Sequence, residues 1–142
     1  MNRNNERHFN QIPQMKANRT RFNRDQTILT TFDAEEFRCK DGTKEFLWAP
    51  ELLAVLETIR NHFNEPVIIN SGYRTPTWNT KANSAKNSYH MKGMAADIVV
   101  KNHNSKEVAE YASKVLGELG GVIRYSNFVH IDVRESKYRK GV

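Results

Sequence analysis

Two stretches of the chain place histidine and aspartate side chains where they could do chemistry. His90 lies in a glycine-containing loop, and Asp97 follows seven residues later inside the apolar run of residues 95–100. A carboxylate in such a buried strand is costly unless another group meets it. Near the other end of the chain, His130 and Asp132 alternate with branched apolar residues. Two histidines and one carboxylate are the ligand set of a catalytic zinc site, which keeps its fourth position for water.

Strand alternation predicts which way these side chains point. Within residues 128–133, His130 and Asp132 take one face of the strand, and the odd-numbered apolar residues take the other. The apolar face must meet the core, so the two polar side chains take the open face of the sheet. On spacing alone, a hydrogen-bonded cluster of Asp97 with the two histidines, without metal, explains the pattern equally well.

The elements that must position these residues are short strands and helices. The long helix is expected to begin at Pro50, because proline suits the first turn of a helix. A polar loop of residues 81–92 is expected to bring His90 to the site. The sequence predicts a small single α+β domain, with an antiparallel sheet, helices packed on one face and a zinc site on the other. Strands are expected at residues 27–30, 66–70, 95–100, 122–125 and 128–133, and helices at 34–38, 50–64, from Pro76 onward, and at 105–119 with Val108, Ala112, Val115 and Leu119 facing the core.

Composition suits one soluble domain with one hydrophobic core. The chain has 142 residues, of which 38% are hydrophobic, and its mean hydropathy is −0.74. No apolar run has the length of a membrane span, and the N-terminus lacks the apolar segment of a secretory signal. Cys39 is the single cysteine, which excludes an intrachain disulfide, and we expect it to be a small buried core residue rather than a ligand.

The positive charge is concentrated at the N-terminus. The chain carries a net charge of +6, and residues 1–26 hold six Lys or Arg against two acidic residues. We expect residues 1–26 to be a basic, weakly ordered arm, residues 27–135 to be the domain, and residues 136–142 to be a basic, frayed tail. The arm lacks a nucleic-acid-binding motif, so no nucleic-acid partner is expected. Attraction of the arm to anionic cell-wall polymers is a further interpretation.

The motif around His90 resembles a known family of zinc peptidases. The resemblance covers residues 32–134, and it includes Ser71-Gly72-Tyr73-Arg74-Thr75-Pro76 and the segment at 36–42. The family comprises D-Ala-D-Ala carboxypeptidases, L-alanyl-D-glutamate endopeptidases of phage lysins and related murein endopeptidases. Its pattern Ser-x-His-x-x-Gly-x-Ala-x-Asp, with a later strand histidine, stands here as Ser88, His90, Gly93, Ala95, Asp97 and His130.

The resemblance implies one Zn²⁺ per chain, held by His90, Asp97 and His130. It also implies that Arg74 faces the cleft, where its planar fork of donors would bind a substrate carboxylate or steady an oxyanion. The alternative for Arg74 is a surface salt bridge. Candidate substrate-binding residues are Tyr73, Trp78 and Ser88, although the two aromatic residues suit a core equally well and Ser88 could instead hold the loop.

One position departs from the family pattern. Many members carry a glutamate three residues before the last histidine, where it serves as the general base, but this chain has Asn127 there. Asp132 is the nearest remaining carboxylate on the face of His130. We expect Asp132 to orient His130 by accepting its hydrogen bond, and the alternative is that Asp132 contacts the catalytic water.

The resemblance predicts a zinc metallopeptidase that cleaves peptidoglycan stem peptides or cross-links, of endopeptidase or D,D-carboxypeptidase type. The short chain favours the endopeptidase. The alternative is a non-catalytic zinc domain that binds cell wall or a protein partner, as in the signalling domain of hedgehog proteins. We expect a monomer without membrane attachment, made in the cytoplasm and acting on the cell wall or in the periplasm. A wall-directed activity without a signal peptide is typical of a phage or prophage lysin.

Overall fold

The computed structural model describes residues 10–13, 27–82 and 85–142. Within these ranges the chain forms seven strands, three α-helices and two short 3-10 helices. The strands are β1 (Asn10–Pro13), β2 (Thr27–Thr30), β3 (Val67–Ser71), β4 (Ala95–Val100), β5 (Gly121–Arg124), β6 (Val129–Asp132) and β7 (Tyr138–Lys140). The helices are α1 (Pro50–Phe63), α2 (Pro76–Lys81) and α3 (Ser105–Leu116), and the 3-10 helices are Ala34–Phe37 and Tyr89–Lys92.

A five-stranded sheet forms the centre of the domain. Its order is β3-β4-β6-β5-β7, and every neighbouring pair is antiparallel except β5 and β7, which run parallel. Strands β1 and β2 pair separately as an antiparallel ribbon. The predicted small single domain of α+β class is confirmed. The predicted antiparallel sheet is also observed, except that the edge strand β7 runs parallel to β5.

The core lies between the sheet and helices α1 and α3. Helix α1 buries Leu52, Leu53, Leu56 and Ile59 at the spacing of one helical face. Full burial of each such aliphatic side chain stabilises the fold by about 1.5–3 kcal/mol. The helix ends at Phe63 and is capped by Asn64, whose φ of 53° is a left-handed conformation that asparagine tolerates well. Alternation in β6 buries Val129 and Ile131 in this core, so the histidine and aspartate of that strand point away from it.

His90 sits on a short 3-10 helix, where the sequence predicts only a loop. The hydroxyl of Ser88 caps this helix by accepting the His90 backbone N–H at 3.1 Å. Gly93 ends the helix with a φ of 71°, and a Cβ built there would lie 2.3 Å from the Leu47 carbonyl carbon. Only glycine satisfies both conditions, which explains the glycine of the motif.

Two expectations for the C-terminal part are wrong. Helix α3 ends at Leu116 rather than at residue 119, because Gly117 adopts a φ of 62°, and Leu119 is 58% exposed instead of facing the core. The frayed tail expected at residues 136–142 instead contains β7, which pairs with β5. The predicted N-terminal arm of residues 1–26 lies outside the described residues, apart from the β1 segment.

Cys39 is buried among core residues, as predicted. None of the helices in the described ranges combines the length and the apolar character that a membrane crossing requires.

Candidate metal centre

Three side chains from two strands and one 3-10 helix converge on the open face of the sheet. Asp97 on β4 and His130 on β6 are directly opposite each other in the antiparallel register. The 3-10 helix before β4 brings His90 to the same point. One ligand atom from each of these three residues lies within 4.8 Å of the others, so the group can hold a metal ion.

The orientation of His90 is set by the backbone of a neighbouring loop. Its Nδ1 lies 2.7 Å from the Gly72 carbonyl oxygen, which can only accept a hydrogen bond, so Nδ1 carries the proton and donates. The ring of His90 is almost fully buried, and its Nε2 lies 3.2 Å from Oδ1 of Asp97. The Gly72 contact therefore fixes the tautomer that presents the Nε2 lone pair to the centre.

His130 presents Nδ1 to the centre, whereas His90 presents Nε2. Its Nε2–H donates to Oδ2 of Asp132 at 2.8 Å, while its Nδ1 lies 3.0 Å from Oδ1 of Asp97. A second ring nitrogen bound to a carbonyl or a carboxylate is the arrangement that metal-ligating histidines require. Both histidines satisfy it, so Nε2 of His90, Nδ1 of His130 and a carboxylate oxygen of Asp97 fit the donor set of zinc.

Asp132 lies behind His130 and is fully buried. Besides His130, its carboxylate accepts hydrogen bonds from Nε and Nη2 of Arg134 at 2.8 and 2.6 Å. Gly121 on β5 stands opposite Asp132, and a Cβ there would lie 2.4 Å from Oδ2. The glycine makes room for the carboxylate, so a larger side chain at position 121 would displace it.

Arg74 contacts the centre from the loop after β3. Its Nη2 lies 3.1 Å from Oδ2 of Asp97, and its Nε donates to the Ser71 hydroxyl at 2.9 Å. Asn79 is buried beside it, with Oδ1 at 3.5 Å from Nη1 and Nδ2 donating to the Ala85 carbonyl oxygen at 2.9 Å. Arg74 thus lies in the site and pairs with the metal-ligand candidate Asp97, and it does not form the surface salt bridge that was the alternative.

The protonation states follow from these contacts. Burial raises the pKa of the Asp97 carboxyl, but hydrogen bonds donated by the ring N–H groups of His130 and His90 that face it outweigh burial and hold the pKa well below its usual range. A bound metal ion would displace these two protons and take up the lone pairs. Burial likewise raises the pKa of Asp132, and the hydrogen bonds from Arg134 and His130 lower it further than burial raises it. Burial lowers the pKa of His130, while its bonds to Asp132 and Asp97 bring the net pKa above the ordinary value. Both carboxylates are therefore ionised at neutral pH.

The centre opens into a cleft of about 640 Å³. Of the residues proposed from the sequence, Arg74, Ser88, His90, Asp97 and His130 line this cleft. Tyr73 packs against the core and Trp78 lies on α2, and neither is among the lining residues. Asn127 is exposed and lines a different, small cavity with His103 and Ser105. The substrate-binding roles of Tyr73, Trp78 and Ser88 and the catalytic roles of Arg74 and Asp132 stay predictions.

Several cleft residues were missed by the sequence interpretation. Arg134 continues the alternation of His130 and Asp132, so the period of two gave a usable signal for it. Phe128 also carries this signal, because it precedes His130 by two residues and is expected on the same face of the strand. The other aromatic residues of the cleft gave no such signal, because they come from separate segments that only the fold brings together. They are Tyr89, Tyr125 and Tyr138.

Comparison with known proteins agrees with this geometry. No curated protein matches the sequence. A family model described as peptidase M15 matches residues 16–132, which include all three metal-ligand candidates, Arg74 and Asp132. The match covers most of the chain, and the fold and the His-Asp-His group agree with a family of zinc peptidases, so the chain belongs to the peptidase M15 family.

Proposed function

We propose that the protein is a zinc-dependent metallopeptidase that cleaves peptidoglycan stem peptides or their cross-links. The observation that carries the proposal is the orientation of the two histidines. One ring nitrogen of each histidine donates a hydrogen bond to an acceptor: Nδ1 of His90 to the Gly72 carbonyl oxygen, and Nε2 of His130 to Oδ2 of Asp132. The other ring nitrogen of each histidine faces Asp97. Such preorganised donors favour metal binding over a hydrogen-bonded cluster without metal.

The chain's own residues supply positioning and charge in this mechanism. His90, Asp97 and His130 would hold one Zn²⁺, which when bound supplies Lewis-acid polarisation of a carbonyl group. Arg74 lies beside Asp97 with its guanidinium held by Ser71, so it can bind a substrate carboxylate or stabilise a developing oxyanion. These roles require the planar fork of donors that arginine has and lysine lacks.

Charge in the cleft favours an anionic substrate. Arg74 pairs with Asp97, and Arg134 pairs with Asp132, so these four side chains sum to zero. A bound zinc ion would add two positive charges to this balanced site. A cleft with a net positive charge attracts peptides that carry several carboxylates, as peptidoglycan stem peptides do. We favour an endopeptidase, since the family's carboxypeptidases close their cleft with additional loops.

The decisive experiment uses purified protein and soluble muropeptides. Zinc-loaded protein is incubated with muropeptide monomers and cross-linked dimers, and the products are identified by mass. Cleavage that disappears after chelation and returns with zinc supports the proposal. The cleaved bond separates an endopeptidase from a carboxypeptidase. A matched His130→Ala protein controls for contaminating hydrolases, because it removes one metal ligand and keeps the same purification.

A second candidate function is a non-catalytic zinc domain that binds cell wall or a protein partner. The observation that favours it is the engagement of both carboxylates near the centre. Asp97 meets His90, His130 and Arg74, while Asp132 meets His130 and Arg134. Because both carboxylates are engaged in these contacts, neither is assigned as the general base of a peptidase. Stoichiometric zinc without cleavage of any muropeptide, together with binding to purified cell walls, would favour this function.

We further propose that the protein acts on the cell wall after release from the cytoplasm, as a phage or prophage lysin does, and that it acts as a monomer. The basic N-terminal arm would then add attraction to anionic wall polymers. Deletion of residues 1–26 should leave cleavage of small muropeptides intact and weaken activity on whole walls. That loss should shrink as salt rises, because exposed charges are screened.

A further inference from the structure

The hydrogen bonds that orient His130 form a chain that continues from Asp132 to Arg134. Arg134 holds the Asp132 carboxylate in a fork, with Nε on Oδ1 at 2.8 Å and Nη2 on Oδ2 at 2.6 Å. The Arg134 backbone N–H adds a third bond to Oδ1 at 3.2 Å. Because Oδ2 also accepts from Nε2 of His130 at 2.8 Å, one carboxylate oxygen joins the arginine to the imidazole.

The guanidinium of Arg134 is itself held between two aromatic rings. It lies 4.5 Å from the ring centre of Tyr89 and 4.7 Å from that of Tyr138. A guanidinium stacks on aromatic faces through cation–π attraction, and the stacking restricts its rotation. Tyr89 directly precedes His90 on the 3-10 helix, so this arrangement links the segments that carry the two candidate metal-binding histidines.

The second ring comes from the last strand of the sheet. The Tyr138 backbone N–H donates to the Gly120 carbonyl oxygen at 2.9 Å, and β7 pairs in parallel with β5. Arg139 anchors the strand to the end of α3, with bonds to the Ser113 hydroxyl and the Gly117 carbonyl oxygen at 2.8 Å each. This segment lies beyond residues 16–132, which the family model matches.

We propose that Arg134, clamped by Tyr138 of β7 and by Tyr89, is a positioning residue for the metal centre. It fixes the Asp132 carboxylate against Nε2 of His130, and thereby keeps Nδ1 of His130 turned towards Asp97. The inference rests on the proposed zinc binding but not on peptidase activity. It makes the C-terminal segment a functional part of the site.

The test measures zinc affinity by competition with a chromophoric chelator. We compare the wild-type protein with Arg134→Gln, Arg134→Lys, Tyr138→Ala and Tyr138→Phe. Loss of a residue that orients a metal-ligating histidine costs about 10–100-fold in metal affinity, and we expect this loss for Arg134→Gln. Tyr138→Ala should weaken binding in the same direction, while Tyr138→Phe should retain it because stacking uses the ring. Arg134→Lys should fall between the wild-type protein and Arg134→Gln.

An exposed arginine on β5 supplies the matched control. Arg124→Gln removes a guanidinium that contacts the Ser105 hydroxyl at 3.3 Å, and it should leave zinc affinity unchanged. Nitrogen-15 NMR of the His130 ring gives an independent readout, since the tautomer with Nε2 protonated should lose population in the Arg134 variants. If Arg134→Gln fails to fold, as judged by circular dichroism, Arg134→Lys and Tyr138→Ala carry the same comparison.

Three outcomes would overturn the proposal. Wild-type zinc affinity and an unchanged His130 tautomer in the folded Arg134→Gln protein would make the arginine irrelevant to the centre. A raised KM with unchanged zinc affinity would make Arg134 a substrate contact instead. A wild-type protein that binds no zinc would overturn this inference together with the metal site. Zinc binding that depends on Arg134 in a protein without peptidase activity would leave the inference standing and remove only the proposed function.

Discussion

Arg74 and Asp97 form an ion pair inside the cleft, with 3.1 Å between Nη2 and Oδ2. The side chains are about one tenth exposed, so water screens the pair only weakly. One carboxylate oxygen thus meets the arginine, while the other meets both histidines. The arginine proposed to bind substrate is therefore linked directly to a proposed metal ligand.

Replacing Arg74 with lysine should separate charge from geometry. Arg74→Lys keeps a cation near Asp97, so we expect the fold and zinc content to stay as in the wild type. Turnover of muropeptides should fall by about 10²–10³, since a point ammonium cannot reproduce the two-pronged contact. Metal analysis and initial rates on the same preparation test this. Wild-type turnover in Arg74→Lys would contradict a role in substrate or oxyanion binding.

Metal stoichiometry tests the ligand set. After mild dialysis, elemental analysis should find about one zinc per chain in the wild-type protein and far less in Asp97→Ala. Removing the carboxylate breaks the ion pair with Arg74 and takes the anionic ligand from the centre, so thermal stability should also fall. A full equivalent of zinc in Asp97→Ala would show that the ligand set is wrong.

Asp132→Asn distinguishes orientation of His130 from general base catalysis. An amide cannot act as the same ionised acceptor for His130 and Arg134, so zinc affinity should fall by about 10–100-fold. Activity should then largely return at high zinc concentration. A variant that stays fully loaded with zinc and loses about 10²–10⁴ in rate would instead identify Asp132 as the base.

Asn127→Glu restores the carboxylate that many family members carry at this position. In this chain the side chain lines a small cavity beside His103 rather than the cleft, so we expect little change in kcat/KM on muropeptides. Asn127→Gln is the matched control, because it adds the same length without charge. A large gain in cleavage specific to Asn127→Glu would indicate that the natural protein lacks a base and would favour the non-catalytic zinc domain.

Asp41 gives the fold a measurable acid dependence. Hydrogen bonds from the backbone N–H of Thr43 at 2.9 Å and the hydroxyl of Thr75 at 2.7 Å lower the pKa of this carboxyl to about 2. The folded pKa lies below the unfolded value of about 3.9, so the stabilisation is complete above pH 4 and is lost as pH falls through about 2.

The measurement is urea unfolding of the protein in the presence of a metal chelator, at pH values between 2 and 5. The free energy of unfolding should fall more steeply with decreasing pH in the wild type than in Asp41→Asn, because the asparagine does not titrate. Comparing the two proteins cancels the acid dependence that the buried carboxylates share. Parallel curves would show that Asp41 does not contribute to acid stability.

The cluster of candidate metal-binding side chains could be predicted from the sequence because its pattern is local. His130 and Asp132 alternate within one strand, and the motif from Ser88 to Asp97 has fixed spacing. The prediction that Asp132 meets His130 agrees with the 2.8 Å contact. Strand periodicity also placed the apolar residues of β6 in the core, as the structure has them.

The rest depends on contacts between distant segments. The Gly72 carbonyl orients His90 across 18 positions of the sequence, and the Asn79 amide reaches Arg74 from the helix that follows it. Neither contact has a periodic signal. The exposure of Leu119 follows from the backbone angle of Gly117, which helical periodicity does not reveal. Strand β7 is short and two of its three residues are basic, so the sequence predicts a frayed end there and not a strand that pairs with β5.

The order of the strands predicts that some parts of the site open locally more readily than others. Asp97 and His130 lie on β4 and β6, each of which has a hydrogen-bonded neighbour on both sides. Amide protons of such central strands exchange with solvent mainly through global unfolding, while those of edge strands also exchange through local opening. Tyr138 lies on the edge strand β7. A transient release of β7 would therefore remove the Tyr138 ring from Arg134, while the strands that carry the candidate ligands stay paired.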